Sequence, residues 1–202
     1  MSAAFFELIK SCVTSTYLRA NNFDASRERV NLNEKVEYPD GRRVNRTVRL
    51  FFEGEAFTVK LDYTNSGSCP PLYHFLREDQ PKPWAKRCDF IVFHRLPSAI
   101  YCYLFEFKSD APDIVGAVRQ LEAGLAWLKS LHRILHHYTD ETFPIVAQKF
   151  LLTSKREPDA IVDETGKYLI HDTTIRHYHY QELEGMDLAD LENRNAVELT
   201  CQ

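Results

Sequence analysis

Apolar positions along the chain follow two periods, and each change of period marks the edge of an element. Residues 2–19 carry Phe5, Phe6, Ile9, Cys12, Val13, Tyr17 and Leu18 near helical spacing, which predicts a helix stopped by Asn21, Asn22 and Asp24. Residues 47–53 (TVRLFFE) and 56–62 (AFTVKLD) are rich in β-branched and aromatic side chains and read as strands. Glu53, Gly54 and Glu55 read as the hairpin turn between them. Residues 63–86 are a long proline-bearing connection in which PLYHFLRE (71–78) has the pattern of a short helix. Two strands follow, 89–94 (DFIVFH) and 100–108 (IYCYLFEFK), joined by the short turn RLPSA. Behind Pro112, residues 113–138 hold a sustained helical stripe: Ile114, Val118, Leu121, Leu125, Leu128, Leu131, Leu135 and Tyr138. A buried strand is predicted at 146–153 and shorter strands at 167–172 and 174–180. In the last of these His177 and His179 alternate with Tyr178 and Tyr180, giving one polar and one aromatic face. The acidic tail from Gln181 to Gln202 reads as a helix with a frayed end.

The order helix, strands, helix, strand describes an α/β sandwich with a mixed sheet flanked by helices. Neither repeats nor low-complexity segments interrupt it. A single domain over 1–202 is expected, with a core over roughly 2–153 and a C-terminal addition over roughly 154–202. The chain of 202 residues is 44% hydrophobic with a net charge of only −4, which excludes a globally disordered chain. Its apolar runs are too short to cross a membrane, so no membrane partner is expected. Glu7 and Lys10 break the first apolar stretch, which reads as a folded helix and not a signal peptide. The five cysteines are scattered without a CxxC, which gives neither a zinc ribbon nor a disulfide framework; the expected compartment is the reducing cytoplasm.

The chemistry concentrates in residues 86–110. Asp89 opens one apolar strand, and Glu106 and Lys108 close the next, two residues apart and therefore on one face. If the strands pair so that residue 94 sits beside 101, Asp89 falls opposite Glu106, with Cβ atoms about 5 Å apart. Carboxylates that close repel unless a cation lies between them, and hard oxygen ligands suit Mg²⁺ or Mn²⁺. Lys108 beside such an ion would hold a water nucleophile without competing for the metal. The competing expectation is a structural ion pair at a sheet end.

Asp89, then Glu106-x-Lys108 on the adjacent strand, then a helix resembles the PD-(D/E)XK nuclease superfamily, with its αβββαβ restriction-endonuclease-like core. The resemblance runs through helix 2–19, strands around 56–62, 89–94 and 100–108, helix 113–138 and strand 146–153. It departs at Cys88, where the family usually has proline, and at Gly124, where some branches have tyrosine. It implies a metal held by Asp89, Glu106 and the backbone carbonyl of Phe107, a water oriented by Lys108, and a supporting role for Gln120. The family's occasional acidic residue on the first helix has Glu7, Glu28 and Glu34 as candidates. The implied activity is Mg²⁺- or Mn²⁺-dependent hydrolysis of nucleic acid, with DNA as the expected substrate and a 5′ phosphate as product. The implied partners are a second copy of the chain or an ATPase or sensor protein, by analogy with restriction and anti-phage systems.

Weaker signals surround this site. Arg27, Arg29, Lys35, Arg42, Arg43, Arg46 and Arg49 outnumber the acids in their stretch, and acids dominate the C-terminal tail. Lys86, Arg87, Arg119, Arg43 and Arg46 are the expected phosphate contacts, set against the plainer reading of solvated surface cations. Trp84, Tyr73 and Phe75 would stack on bases or anchor their loop. His132 and His136 have a metal-compatible spacing, but without an HExxH they suit the end of a helix better. Two other functions fit the same residues: a non-catalytic interaction module docking a partner through the acidic tail, and an RNA-cleaving enzyme.

Overall fold

Val30, Leu32, Val48 and Leu50 alternate with polar residues along two strands and bury one face of a hairpin, and that hairpin covers one side of a larger sheet. The computed structural model describes residues 2–15, 17–18, 23–24, 28–38, 40–62, 73, 83–109, 113–139, 143–154 and 161–199. The hairpin comprises β2 (Arg29–Glu37) and β3 (Arg43–Phe51), with the two-residue β1 (Phe23–Asp24) on the outer edge of β2. The larger sheet runs β4 (Glu55–Lys60), β5 (Phe90–Arg95), β6 (Ile100–Phe107), β7 (Ile145–Thr153), β8 (Ile175–His179), and β9 (Val197–Leu199) pairs with the start of β7. Strands β4 to β6 are antiparallel and β6 to β8 parallel, so the sheet is mixed.

Helices α1 (Ser2–Cys12) and α2 (Ile114–Thr139) pack on the face opposite the hairpin. Two apolar layers result: Phe5, Phe6, Leu104, Leu121 and Leu151 on the helix side, and Leu32, Phe90, Phe105 and Phe150 on the hairpin side. The fold is α/β with a mixed sheet flanked by helices. No helix among the described residues is long and apolar enough to cross a membrane.

Helix α2, strands β5 to β7 and the β5–β6 turn fall where the sequence places them. Other elements differ. The first helix ends at Cys12, because the Thr14 carbonyl accepts the N–H groups of Tyr17 and Leu18 and turns the chain so that Leu18 bridges to Val59. The segments 47–53 and 56–62 are not a hairpin: β3 pairs with β2, β4 pairs with β5, and the two lie in different sheets. Gly54, at φ +87°, lies between them, in a conformation that disfavours other residues. Segment 167–172 makes only single bridges at Tyr168 and Leu169 and forms no strand.

The tail is not one helix. It folds into the single turn α3 (Tyr180–Leu183), a 3₁₀ turn at Leu188–Asp190 and β9, because Gly185 reverses the chain and Leu183, Leu188 and Leu191 bury at non-helical spacing. The expected helix at 71–78 lies outside the described residues apart from Tyr73, as do Arg27, Phe75 and Pro112.

Candidate metal and active site at the end of the central sheet

Two antiparallel strands bring the candidate residues together through their register. His94 pairs with Tyr101 and Phe90 with Phe105, so continuing the ladder by one residue sets Asp89 opposite Glu106. At that point the main-chain ladder gives way to a side chain. The Asp89 N–H bonds the Phe105 carbonyl at 3.1 Å, while Asp89 Oδ2 accepts the Phe107 N–H at 2.7 Å. Both carboxylates are buried, Glu106 to 1% exposure and Asp89 to 5%.

Lys108 lies just beyond the end of β6, and its N–H bonds the Leu152 carbonyl at 2.8 Å. Its Nζ sits 2.6 Å from Glu106 Oε1 and donates to Gln120 Oε1 at 2.8 Å. Gln120 in turn donates through Nε2 to the Arg87 carbonyl at 3.2 Å, tying α2 to the segment that delivers Asp89. That helix approaches closely because residue 124 is glycine. A Cβ there would lie 2.4 Å from Cys88 Sγ and 3.2 Å from Leu104 Cδ2, so any larger residue would push α2 away from Asp89's neighbour. On the other side, Tyr180 Oη donates to the Lys108 carbonyl at 2.6 Å and its ring stacks on Phe107 at 5.4 Å between centroids.

The charges at this corner do not balance. Glu106 Oε1 faces the Lys108 ammonium, but Glu106 Oε2 is buried without a hydrogen-bond partner. Burial is the main force raising the Glu106 carboxyl, to about 7, against the pull of Lys108. Asp89 is also raised well above the usual carboxylate range, first by burial and then by the charges of Glu106 and Glu34; the Phe107 N–H and Lys108 pull the other way. For Lys108, burial disfavours the ammonium, yet Glu106 and Asp89 hold its pKa above the ordinary value.

Three carboxylates were upstream candidates for the site. Glu7 is exposed beside Lys10 on α1, and Glu28 is exposed with φ +47°. Glu34 alone reaches the site electrostatically, from β2, while its Oε2 sits 2.6 Å from Lys60 Nζ. Asp62, just after β4, also raises Glu106; it closes an apolar strand as Glu106 does, and that was its signal in the sequence.

Among the expected phosphate contacts, Arg87 turns inward to the carbonyls of Leu61 and Ala85 and is 5% exposed. The apolar strand that follows draws its backbone into the interior. Lys86 and Arg119 are exposed, Arg43 pairs with Glu37 at 2.7 Å, and Arg46 bonds Tyr38 Oη with its guanidinium 5.7 Å from the Tyr180 ring centroid. His132 is buried at the far end of α2 against the edge of Phe5.

Two buried carboxylates on neighbouring strands, one with an unpartnered oxygen, fit a hard divalent cation. Among the described residues no group of three or more His, Cys, Asp or Glu side chains is gathered as a metal site. No protein-family model matches the chain, and neither a curated protein nor a solved structure is found similar to it.

Proposed function

We propose that the chain is a metal-dependent nuclease with a restriction-endonuclease-like core, acting on DNA. The observation that supports this best is the register: it sets Asp89 beside Glu106 at the end of the sheet, both buried, with Lys108 paired to Glu106. Desolvated carboxylates in excess over their cations are costly in an apolar interior unless a further cation joins them.

Asp89, Glu106 and the Phe107 carbonyl would hold Mg²⁺ or Mn²⁺, which supplies positive charge at a phosphate oxygen and acidifies water when bound. The remaining work falls to the chain. Lys108 Nζ, fixed between Glu106 and Gln120, donates a hydrogen bond to the attacking water and stabilises negative charge as it develops on the phosphate. Gln120 has no charge to compete with; it holds the ammonium at a defined position by bridging it to the Arg87 carbonyl. Buried apolar neighbours, Leu104, Phe107 and Cys88, keep bulk water away from the pair and strengthen each electrostatic contact. In-line attack then expels the 3′ oxygen and leaves a 5′ phosphate.

The test is cleavage of duplex DNA, single-stranded DNA and RNA with Mg²⁺ or Mn²⁺. The expected result is metal-dependent cutting of duplex DNA that EDTA, Asp89→Asn and Lys108→Met each abolish. Cutting that survives both substitutions, or metal-dependent cutting of RNA in preference to DNA, would overturn the enzyme or its substrate respectively.

A further inference from the structure

The hairpin on the back of the sheet has an inner and an outer face set by strand alternation. Inner pairs run Val30–Leu50, Leu32–Val48, Glu34–Arg46 and Val36–Val44. The outer face of β3 presents Arg43, Asn45, Thr47 and Arg49, all exposed, and none of its nine residues is acidic. Opposite them on β2 stand the half-buried Asn31 and the exposed Asn33, Lys35 and Glu37, the last being the one acid of this face of the two strands. From Asn31 to Glu37 the described part of this sheet is two strands wide, since β1 reaches only Arg29 and Val30. Here cations outnumber carboxylates, on a chain whose formal net charge is −4.

The polar inner pair marks where the hairpin passes the working end of the sheet. Glu34 binds Lys60 there, and Arg46 stacks over Tyr180, whose hydroxyl holds the Lys108 carbonyl. The ribbon therefore leads away from the corner that carries Asp89, Glu106 and Lys108.

We propose that the outer face of the β2–β3 ribbon is a duplex-DNA contact surface that seats the substrate of the nuclease site; it rests on that reading for its biological use. A two-stranded ribbon is an element the DNA major groove admits, whereas the corresponding groove of an RNA helix is too deep and narrow for side chains to read. Arg and Lys match phosphates and guanine edges, and Asn matches adenine. The arginines meet only surface carboxylates, Arg43 on Glu37 and Arg49 on Glu184, and such solvent-exposed pairs exchange readily for phosphate. Lys35 has no ion-pair partner among the described residues.

Binding of a short fluorescent DNA duplex, followed by anisotropy in EDTA, tests this without any cleavage. Wild type should bind with an affinity that falls steeply with salt. The double variant Lys35→Ala, Arg43→Ala should bind about tenfold or more weakly, with a salt slope lower by about 2. Arg133→Glu, on the exposed side of α2, should bind as wild type does, and thermal melts of all three should coincide. No duplex binding by wild type, an unchanged affinity in the ribbon variant, or an equal loss in Arg133→Glu overturns the proposal. Because the readout needs no metal, ribbon-dependent binding by a protein that never cuts would sustain the surface and sink the nuclease; cutting without ribbon-dependent binding would do the reverse.

Discussion

Two buried charge clusters lie on the helix-facing side of the same sheet, and they resolve their charges in opposite ways. In one, Lys149 is the buried partner, 4% exposed, and its carboxylates sit toward solvent: Glu122 is in direct contact and Asp172 Oδ2 lies 3.0 Å away. Burial tends to raise the Asp172 carboxyl, but hydrogen bonds from Thr174 and Lys149 bring it below the usual carboxylate value. In the other, the carboxylates Asp89 and Glu106 are the buried partners, Lys108 is the more accessible group, and both acids are raised. A cation inside with anions at the rim satisfies itself. Anions inside with one cation on one of them invite another. The direction in which burial wins separates a structural ion cluster from a candidate metal site more sharply than the number of charges does.

Removing charge should therefore have opposite consequences in the two places. The largest effect expected is on cleavage: Lys108→Met should lower the rate by roughly 10²–10³-fold with little change in folding, measured by single-turnover kinetics. Lys149→Met should leave chemistry alone and cost about 2–3 kcal/mol in urea melts, below the range for a fully buried pair because Glu122 can regain water.

Glu106→Gln should stabilise the metal-free protein by about 1–2 kcal/mol at pH 8. The sign follows from a folded pKa raised from 4.5 to about 7: the protonated form is favoured in the fold. The stability contribution is thus fully present below the unfolded value and lost as pH rises through 7. Denaturant melts of metal-free wild type should weaken across that interval. Glu106→Gln should flatten the fall by one proton's worth, leaving the part that Asp89 contributes. A steepened or unchanged profile would contradict the assignment of the buried carboxylate.

Smaller effects probe the scaffold around the pair. Gly124→Ala should destabilise by about 1–3 kcal/mol, since its Cβ would meet Cys88 Sγ at 2.4 Å, and it should slow cleavage by shifting α2 and Gln120. Tyr180→Phe should cost about 1 kcal/mol by freeing the Lys108 carbonyl, measured by thermal melts.

The central part of this arrangement was legible from local pattern. Strand β5 begins as an apolar run directly after Asp89 and β6 is an apolar run up to Glu106, so the unusual position of Asp89, Glu106 and Lys108 showed in the letters, and the short turn left few registers open. The period of α2 showed the helix, whereas Gln120 was singled out only by the family resemblance. What pattern could not show was which strands share a sheet. The run 47–53 has the composition of a strand, but its partner is the preceding segment 29–37, whose alternation of Val30, Leu32 and Val36 is interrupted by the inward Glu34 and obscured by flanking charges. Glu34 and Asp62 joined the site's electrostatics only through that tertiary arrangement. The tail misled for a related reason: its leucines bury against the hairpin layer in turns, and their spacing carries no period.

Calorimetric titration of Mn²⁺ into the metal-free chain reads the proposed ion site itself, with Asp89→Asn, Glu106→Gln and Glu122→Gln beside wild type. Wild type and Glu122→Gln should each bind at a single site and the other two at none, with an affinity that weakens as pH falls through 7 because protons and metal compete for Glu106. Binding that survives both Asp89→Asn and Glu106→Gln, or no binding by wild type at saturating Mn²⁺, would contradict it.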